Sequence, residues 1–262
     1  MVPPLNEDRV RLAVVIPAFN EEARLPRTLT RIAEYYDGEP YSWTCLVVSD
    51  GSSDGTEALV REFQTHETRV QLLPLRPNQG KGAAVRAGML AMAEVAEYVL
   101  FCDADLATPQ EETEKLFAAI DAGNDIAIGS RPLRGSSLEV RQPWYRELLG
   151  RIFNSAVQLL GIRGIQDTQC GFKLFGAHAA REVFTRTKIQ GYGFDFESLM
   201  IARDLGLTIA EVGVRWRHQE GSKVEPVRDG LRMLSELVKL RLAGRGRRLR
   251  TNSRVVSAFS DI

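Results

Sequence analysis

The chain has 262 residues, 44% hydrophobic and 26% charged. That is the composition of a soluble globular protein and excludes a mainly disordered, collagen-like or disulfide-framework chain. Its 34 basic and 34 acidic side chains cancel, which argues against wholesale nucleic-acid binding and leaves only local charged patches. Cys45, Cys102 and Cys170 lie far apart with no CxxC pair, and His66, His178 and His218 form no HExxH motif. Neither a disulfide scaffold nor a zinc site is expected, and a reducing, cytoplasmic setting is the default. The first eleven residues are polar and charged, without an apolar signal-peptide core. The longest run free of charged side chains, residues 152–162, falls short of the roughly 20 apolar residues of a bilayer span. The expectation is a protein without a transmembrane segment that at most lies on a membrane surface.

Short β-branched runs alternate with helical patterns, the signature of βαβ units. Strands are predicted at 12–16, stopped by Pro17, and at 44–48, 70–73, 98–102 and 125–128. Helices are predicted at 21–36, from Asp54 onward, at 81–93, and after Thr108-Pro109, where Thr108 is the expected cap and Glu111 and Glu112 are early acids. The second half reads as a helix at 144–160, a polar turn at 167–173 entering Leu174-Phe175, helices at 177–184 and 194–205, a strand at 208–214 and a long helix at 226–242. The fold class is α/β, a doubly wound, mainly parallel, Rossmann-like sheet. The domain reading is a tail over 1–10, one domain over 11–224, an amphipathic helix over 225–243, and a basic, then polar tail over 244–262 that is expected to fray.

Doubly wound sheets bind ligands beyond the carboxyl ends of their strands. The polar residues collect there: Asn20 and Glu21 after the first strand, Asp50 after the second, Asp103 and Asp105 after the fourth, Arg131 after the fifth. Asp103-Ala104-Asp105 is a DxD pair that suits a hard divalent cation, which takes one or two carboxylates and fills its shell with water and phosphate oxygens. The same acids could simply cap the next helix. Asp50 could accept from ribose hydroxyls or base nitrogens, or be ordinary Asp-Gly turn chemistry. Asn78-Gln79-Gly80-Lys81-Gly82 places two glycines and a lysine at a helix N-terminus, which suits a diphosphate by dipole and by charge. It is not a Walker A loop, and no GxGxxG follows the first strand, so dehydrogenase chemistry is disfavoured.

Taken together, Val14-Val15-Ile16-Pro17-Ala18-Phe19-Asn20-Glu21-Glu22, Asp50-Gly51-Ser52, the Asn78–Gly82 segment and Asp103-Ala104-Asp105 resemble an inverting family-two glycosyltransferase of the GT-A fold. The resemblance continues through Gly129-Ser130-Arg131, Asp167-Thr168-Gln169-Cys170-Gly171-Phe172-Lys173, Phe194-Asp195-Phe196-Glu197 and Glu220-Gly221-Ser222-Lys223, over about residues 12 to 240. These later blocks are similar to polyprenyl-phosphate glycosyltransferases, dolichyl-phosphate β-glucosyltransferases ahead of mannosyl relatives. The resemblance implies transfer of a hexose, glucose first, from a UDP-sugar to a polyprenyl or dolichyl phosphate. It implies that Pro17, Ala18, Asn20, Glu21, Asp50, Lys81, Asp103 and Ala104 hold the nucleotide-sugar. Asp105, with Asp103, would hold Mg²⁺ or Mn²⁺. Two departures stand out: Ser49-Asp50 replaces the usual double aspartate, and Ala107 stands where mannosyl relatives carry glutamine.

An acceptor phosphate needs cations rather than a strong base, and arginine forks suit its oxygens. The candidates are Arg131, Arg146, Arg151 and Lys223, with Asp167 and Gln169 shaping the site. A hydroxyl acceptor would instead require a base, Asp167 or Asp195. The helix from Pro226 recurs in apolar residues every three or four positions, and six basic residues and no acids lie between Lys239 and Arg250. That pattern fits a membrane interface, on the cytoplasmic face, or a helix packed on the domain with a solvated basic end. The rival functions are a same-fold transferase acting on a glycan or cell-wall hydroxyl, and a catalytically silent nucleotide-sugar-binding protein.

Overall fold

A computed structural model describes residues 9–133, 138–140, 164–217, 219 and 226–242. The sheet is built on runs that are apolar almost throughout, because its central strands are covered on both faces. β1 (Val10–Ala18), β2 (Trp43–Asp50), β3 (Val70–Leu75), β4 (Ala96–Cys102), β5 (Ile126–Ser130), β7 (Phe172–Gly176) and β8 (Ile209–Gly213) form one seven-stranded sheet in the order β3-β2-β1-β4-β7-β5-β8. β7 alone runs antiparallel to its neighbours β4 and β5. A separate two-stranded ribbon pairs β6 (Leu138–Val140) with β9 (Trp216–Arg217).

Helices cover both faces. α1 (Leu25–Tyr36) and α4 (Thr113–Asp121) share one buried apolar cluster with the sheet. α3 (Lys81–Met92), α5 (Ala177–Arg186), α6 (Phe194–Asp204) and part of α7 (Pro226–Leu242) share the other, and α2 (Thr56–Gln64) follows β2. The small residues of α3 let it sit close to the strands. A Cβ on Gly88 would lie 2.4 Å from Val15 Cγ1 and 2.8 Å from Val48 Cγ2.

Several boundaries move for identifiable reasons. β1 runs on through Pro17, which pairs with Val48 of β2 but lies past the last pair with β4, at Val15. α1 starts four residues later than predicted. Asn20 is left-handed (φ 54°) and the Glu21 carbonyl closes a turn onto the amides of Arg24 and Leu25. Thr108 does not cap a helix. Pro109 is extended, one 3₁₀ turn occupies Gln110–Glu112, and α4 begins at Thr113. α7 keeps its predicted limits and packs on the domain through the buried Met233 and Leu237, leaving Leu231, Val238 and Leu242 exposed. The predicted helix at 144–160, residues 1–8 of the tail expected over 1–10, and the tail at 244–262 lie outside the described residues, and Val10 already belongs to β1.

The close approach of α3 is testable. Gly88→Ala favours the isolated helix but forces a methyl group into Val15 and Val48. A net loss of about 1–3 kcal/mol is expected from overpacking, read as a lower urea midpoint.

Candidate active site

The carboxyl ends of β1, β2 and β4 open into a cavity of about 730 Å³, a size typical of small-molecule sites. Every predicted donor residue except Asn20 lines it, together with Asp105. Asn20 is spent on the scaffold: its Oδ1 accepts from the Ser53 amide at 2.8 Å, and its own amide donates to Ser52 Oγ at 3.1 Å. It ties the turn after β1 to the turn after β2.

Asp50 is buried, and its carboxylate is occupied by the chain itself. Oδ1 accepts from the Gln79 amide at 2.8 Å and Oδ2 from the Gly80 amide at 2.7 Å, while Asn78 Nδ2 donates to the Asp50 carbonyl. Gly51 makes this docking possible: its φ is 70°, and a Cβ there would lie 2.7 Å from the Asn78 nitrogen. The N-terminus of α3 is likewise engaged. The Gly82 and Ala83 amides donate to the Gln190 carbonyl at 2.7 and 3.3 Å. With the Gly82 and Ala83 amides engaged, Lys81 supplies the charge that suits a diphosphate at this helix start.

Lys81 Nζ reaches Asp103 Oδ1 at 2.6 Å and lies over the rings of Phe101 and Tyr192. Burial works to lower its pKa, but the charges of Asp103 and Asp195 outweigh it and hold the ammonium above its usual value. Asp103 in turn lies against backbone: its amide donates to the Gly171 carbonyl at 3.1 Å, and a Cβ on Gly171 would sit 2.0 Å from its Oδ2. Asp105 accepts from the Ala107 amide at 2.9 Å, beside the left-handed Leu106. Burial, then the charge of Asp103, raises the Asp105 pKa, against the lowering pull of the Ala107 amide and Lys81.

At the end of β5, outside the lining of this cavity, Arg131 grips Asp167 in a fork, Nε to Oδ2 at 2.6 Å and Nη2 to Oδ1 at 2.8 Å, and its guanidinium stands 5.5 Å from the Trp216 ring centre. Asp167 also accepts from the Arg131 and Gln169 amides. Glu211 fixes the approach by accepting from the Gln166 and Asp167 amides. Burial pushes Asp167 up, but Arg131 outweighs it and holds the carboxyl below its usual range. Thr168 Oγ1 and Gln169 Nε2 are buried without a hydrogen-bond partner, an arrangement that usually marks a ligand or water. Arg146, Arg151 and Lys223 lie outside the described residues.

Residues 13–184 match the model of the Glycosyl transferase family 2. The chain belongs to this family. It is 36% identical over 247 residues to a dolichyl-phosphate beta-glucosyltransferase of Dictyostelium discoideum, covering 89% of this chain and 75% of that protein. It is 34% identical over 248 residues to the human protein of that name, covering 88% and 75%. Glucosyl-3-phosphoglycerate synthase from Mycobacterium tuberculosis, in complex with Mn²⁺, UDP and glucosyl-3-phosphoglycerate, superposes with a TM-score of 0.64 at 19% identity, over 90% of this chain and 80% of that one. The complex of that synthase with Mg²⁺ and UDP gives 0.64 at 20% identity, over 90% and 79%. The sheet and its flanking helices are of the GT-A type.

Within this family-2 site, Asp103 and Asp105 fit a divalent cation by their chemistry. They are two hard oxygen donors on a cavity wall, and burial, with the charge of Asp103 second, raises the pKa of Asp105. No cluster of three or more metal-binding side chains occurs among the described residues, so water and substrate oxygens would complete the shell.

Several groups escaped the sequence reading. Asp229, Arg232, Met233 and Glu236 of α7 and Gly191 and Tyr192 before α6 line the cavity; no local motif announces a wall contributed from so far along the chain. Lys173 is 1% exposed, and its Nζ is bound to the Cys170 carbonyl at 2.6 Å and to Asp195. Its sequence block was visible, but its burial was not.

The Arg131–Asp167 pair predicts a pH response. Because the Asp167 pKa is lowered on folding, its contribution is complete above the unfolded value near 4 and is lost as pH falls through the lowered folded value. Asp167→Asn should lose about 2–3 kcal/mol at neutral pH, discounted for the partly exposed arginine. In urea denaturation, the gap to the wild type should narrow on acidification.

Proposed function

We propose that this glycosyltransferase moves a hexose, glucose in the first instance, from a UDP-sugar to the phosphate of a polyprenol such as dolichol, inverting the anomeric centre. One observation carries the choice of acceptor. Both candidate bases are bonded to a cation, and the Arg131 fork holds the Asp167 carboxyl below its usual range, which makes it a poor proton acceptor; Asp195 is bonded to Lys173, although burial pushes its pKa up. A lipid phosphate is already an anion and needs none, with a second pKa near 6 by analogy with phosphorylated side chains. A hydroxyl acceptor would need one. The names of the relatives support the same acceptor and sugar.

In this reading Lys81 positions the donor diphosphate, while Asp50 holds the 78–80 loop that frames it. Asp105, with Asp103, holds Mg²⁺ or Mn²⁺. When bound, the ion supplies charge neutralisation for the departing UDP. Arg131, oriented by Asp167, faces the acceptor phosphate with the buried donors of Thr168 and Gln169, and Arg146, Arg151 and Lys223 are further candidates for that anion. Intact Asp103 and Asp105 argue against a silent binding protein.

The acceptor is a membrane lipid, and no helix among the described residues is long and apolar enough to cross a membrane. α7 provides peripheral contact in this reading. Its exposed Leu231, Val238 and Leu242 share the helix with Arg228, Lys239 and Arg241, a pattern suited to an anionic interface.

Turnover of UDP-glucose with and without a polyprenyl phosphate tests the assignment; transfer to hydroxyl acceptors alone, or UDP binding without turnover, overturns it. Asp105→Ala should abolish metal-dependent transfer with the melting temperature kept, and near-normal activity would refute the metal role. Arg131→Ala should raise the KM for the lipid phosphate roughly tenfold or more, as for loss of a charge-assisted contact, with a smaller change for UDP-glucose. Equal changes would count against an acceptor role.

A further inference from the structure

Glu197 lies in the first turn of α6 and is fully buried, a place where a carboxylate persists only if hydrogen bonds hold it. Its Oε2 accepts from the Lys188 amide at 2.8 Å and the Ile189 amide at 2.7 Å. The next residue, Gln190, aims its carbonyl at the first turn of α3 and accepts from the Gly82 and Ala83 amides. The fit is tight from the other side too. A Cβ on Gly80 would lie 2.5 Å from the Gln190 oxygen, and one on Gly82 would lie 2.4 Å from the Ile189 oxygen. Asp50 holds the Gln79 and Gly80 amides. Lys81 therefore stands between two clamps, one closed by Asp50 and the other by Glu197, with its Nζ on Asp103. Gly191 and Tyr192, which continue the second clamp, line the donor cavity.

We infer that Glu197 is a positioning residue for the donor: by fixing the 188–190 backbone against the first turn of α3, it sets where Lys81 meets the diphosphate. The inference rests on the reading of Lys81 as a diphosphate contact. Lysine is a flexible point charge with no geometry of its own, so its placement is inherited from the backbone that carries it. Glu197 touches no substrate in this scheme. It acts through two amides, one carbonyl and the helix they anchor.

The test is UDP binding by calorimetry in the presence of MnCl₂, for the wild type, Lys81→Met, Glu197→Gln and their double variant, alongside Michaelis constants for UDP-glucose and polyprenyl phosphate. Glu197→Gln should weaken UDP binding roughly fivefold, on the scale of one net hydrogen bond, and raise the KM for UDP-glucose alike while leaving that for the lipid unchanged. In the Lys81→Met background the same change should have little further effect, because residues acting through one another are not additive. Glu197→Asp keeps the charge but withdraws it from the two amides, and should show the same non-additivity; it serves if Glu197→Gln fails to fold. Equal weakening in both backgrounds, or an equal rise in both Michaelis constants, overturns the positioning role. If Lys81→Met alone leaves UDP binding unchanged, the diphosphate reading itself falls, and the inference with it.

Discussion

Lys81 and Asp103 meet at 2.6 Å where the sheet ends, and the surrounding chain is arranged so that they can. The rim there is rich in carboxylates: Glu21, Asp50, Asp103 and Asp105 all line one cavity. Unbalanced, such a group would repel itself; the Asp105 pKa is raised first by burial and then by the charge of Asp103. Each acid is answered differently. Asp50 is satisfied by two amides, Asp103 by the lysine, Glu21 by the Arg24 fork. Asp105 accepts one amide hydrogen bond, from Ala107, which suits the proposed role of holding a cation that arrives with the substrate.

The same logic orders the second half of the site. Two ion pairs, Arg131–Asp167 and Lys173–Asp195, take carboxylates that a sequence reader would nominate as bases and turn them into braces. Breaking such a pair leaves a stranded charge, so each holds its neighbours strongly. What remains for chemistry is a set of donors, Thr168 and Gln169 beside Arg131, and donors suit an anion. In the proposed reading, electrostatics separates the donor side, where charge must be neutralised, from the acceptor side, where charge must be received.

Much of this was legible in the sequence, because β-branched runs ending in acids are diagnostic of parallel strands with a functional rim. The positions of Asp50, Lys81, Asp103 and Asp105 on one cavity follow from topology alone. The roles were less legible than the places. Asn20 and Asp50 look like ligand contacts and are largely backbone contacts, because short polar side chains at turns bond to nearby amides as readily as to a nucleotide. Glu197 and Lys173 lie among aromatics in apolar company, and nothing local says that a charge is buried there for a purpose. The wall supplied by α7 depends on how a distant helix docks, through Met233 and Leu237, and periodicity alone cannot tell a docked face from a lipid-facing one.

The reversed direction of β7 has an effect beyond closing the sheet. Ile128 of β5 stands opposite Lys173 of β7, so the chain leaves the rim after Ser130 and comes back to that rim before Phe172. Arg131, just after β5, and Asp167, shortly before β7, are stitched together by an ion pair at that rim. The sequence joining them can therefore diverge without shifting the register of β1, β2, β3 and β4. The topology leaves one part of the chain free to change while the rim formed by the parallel strands stays as it is.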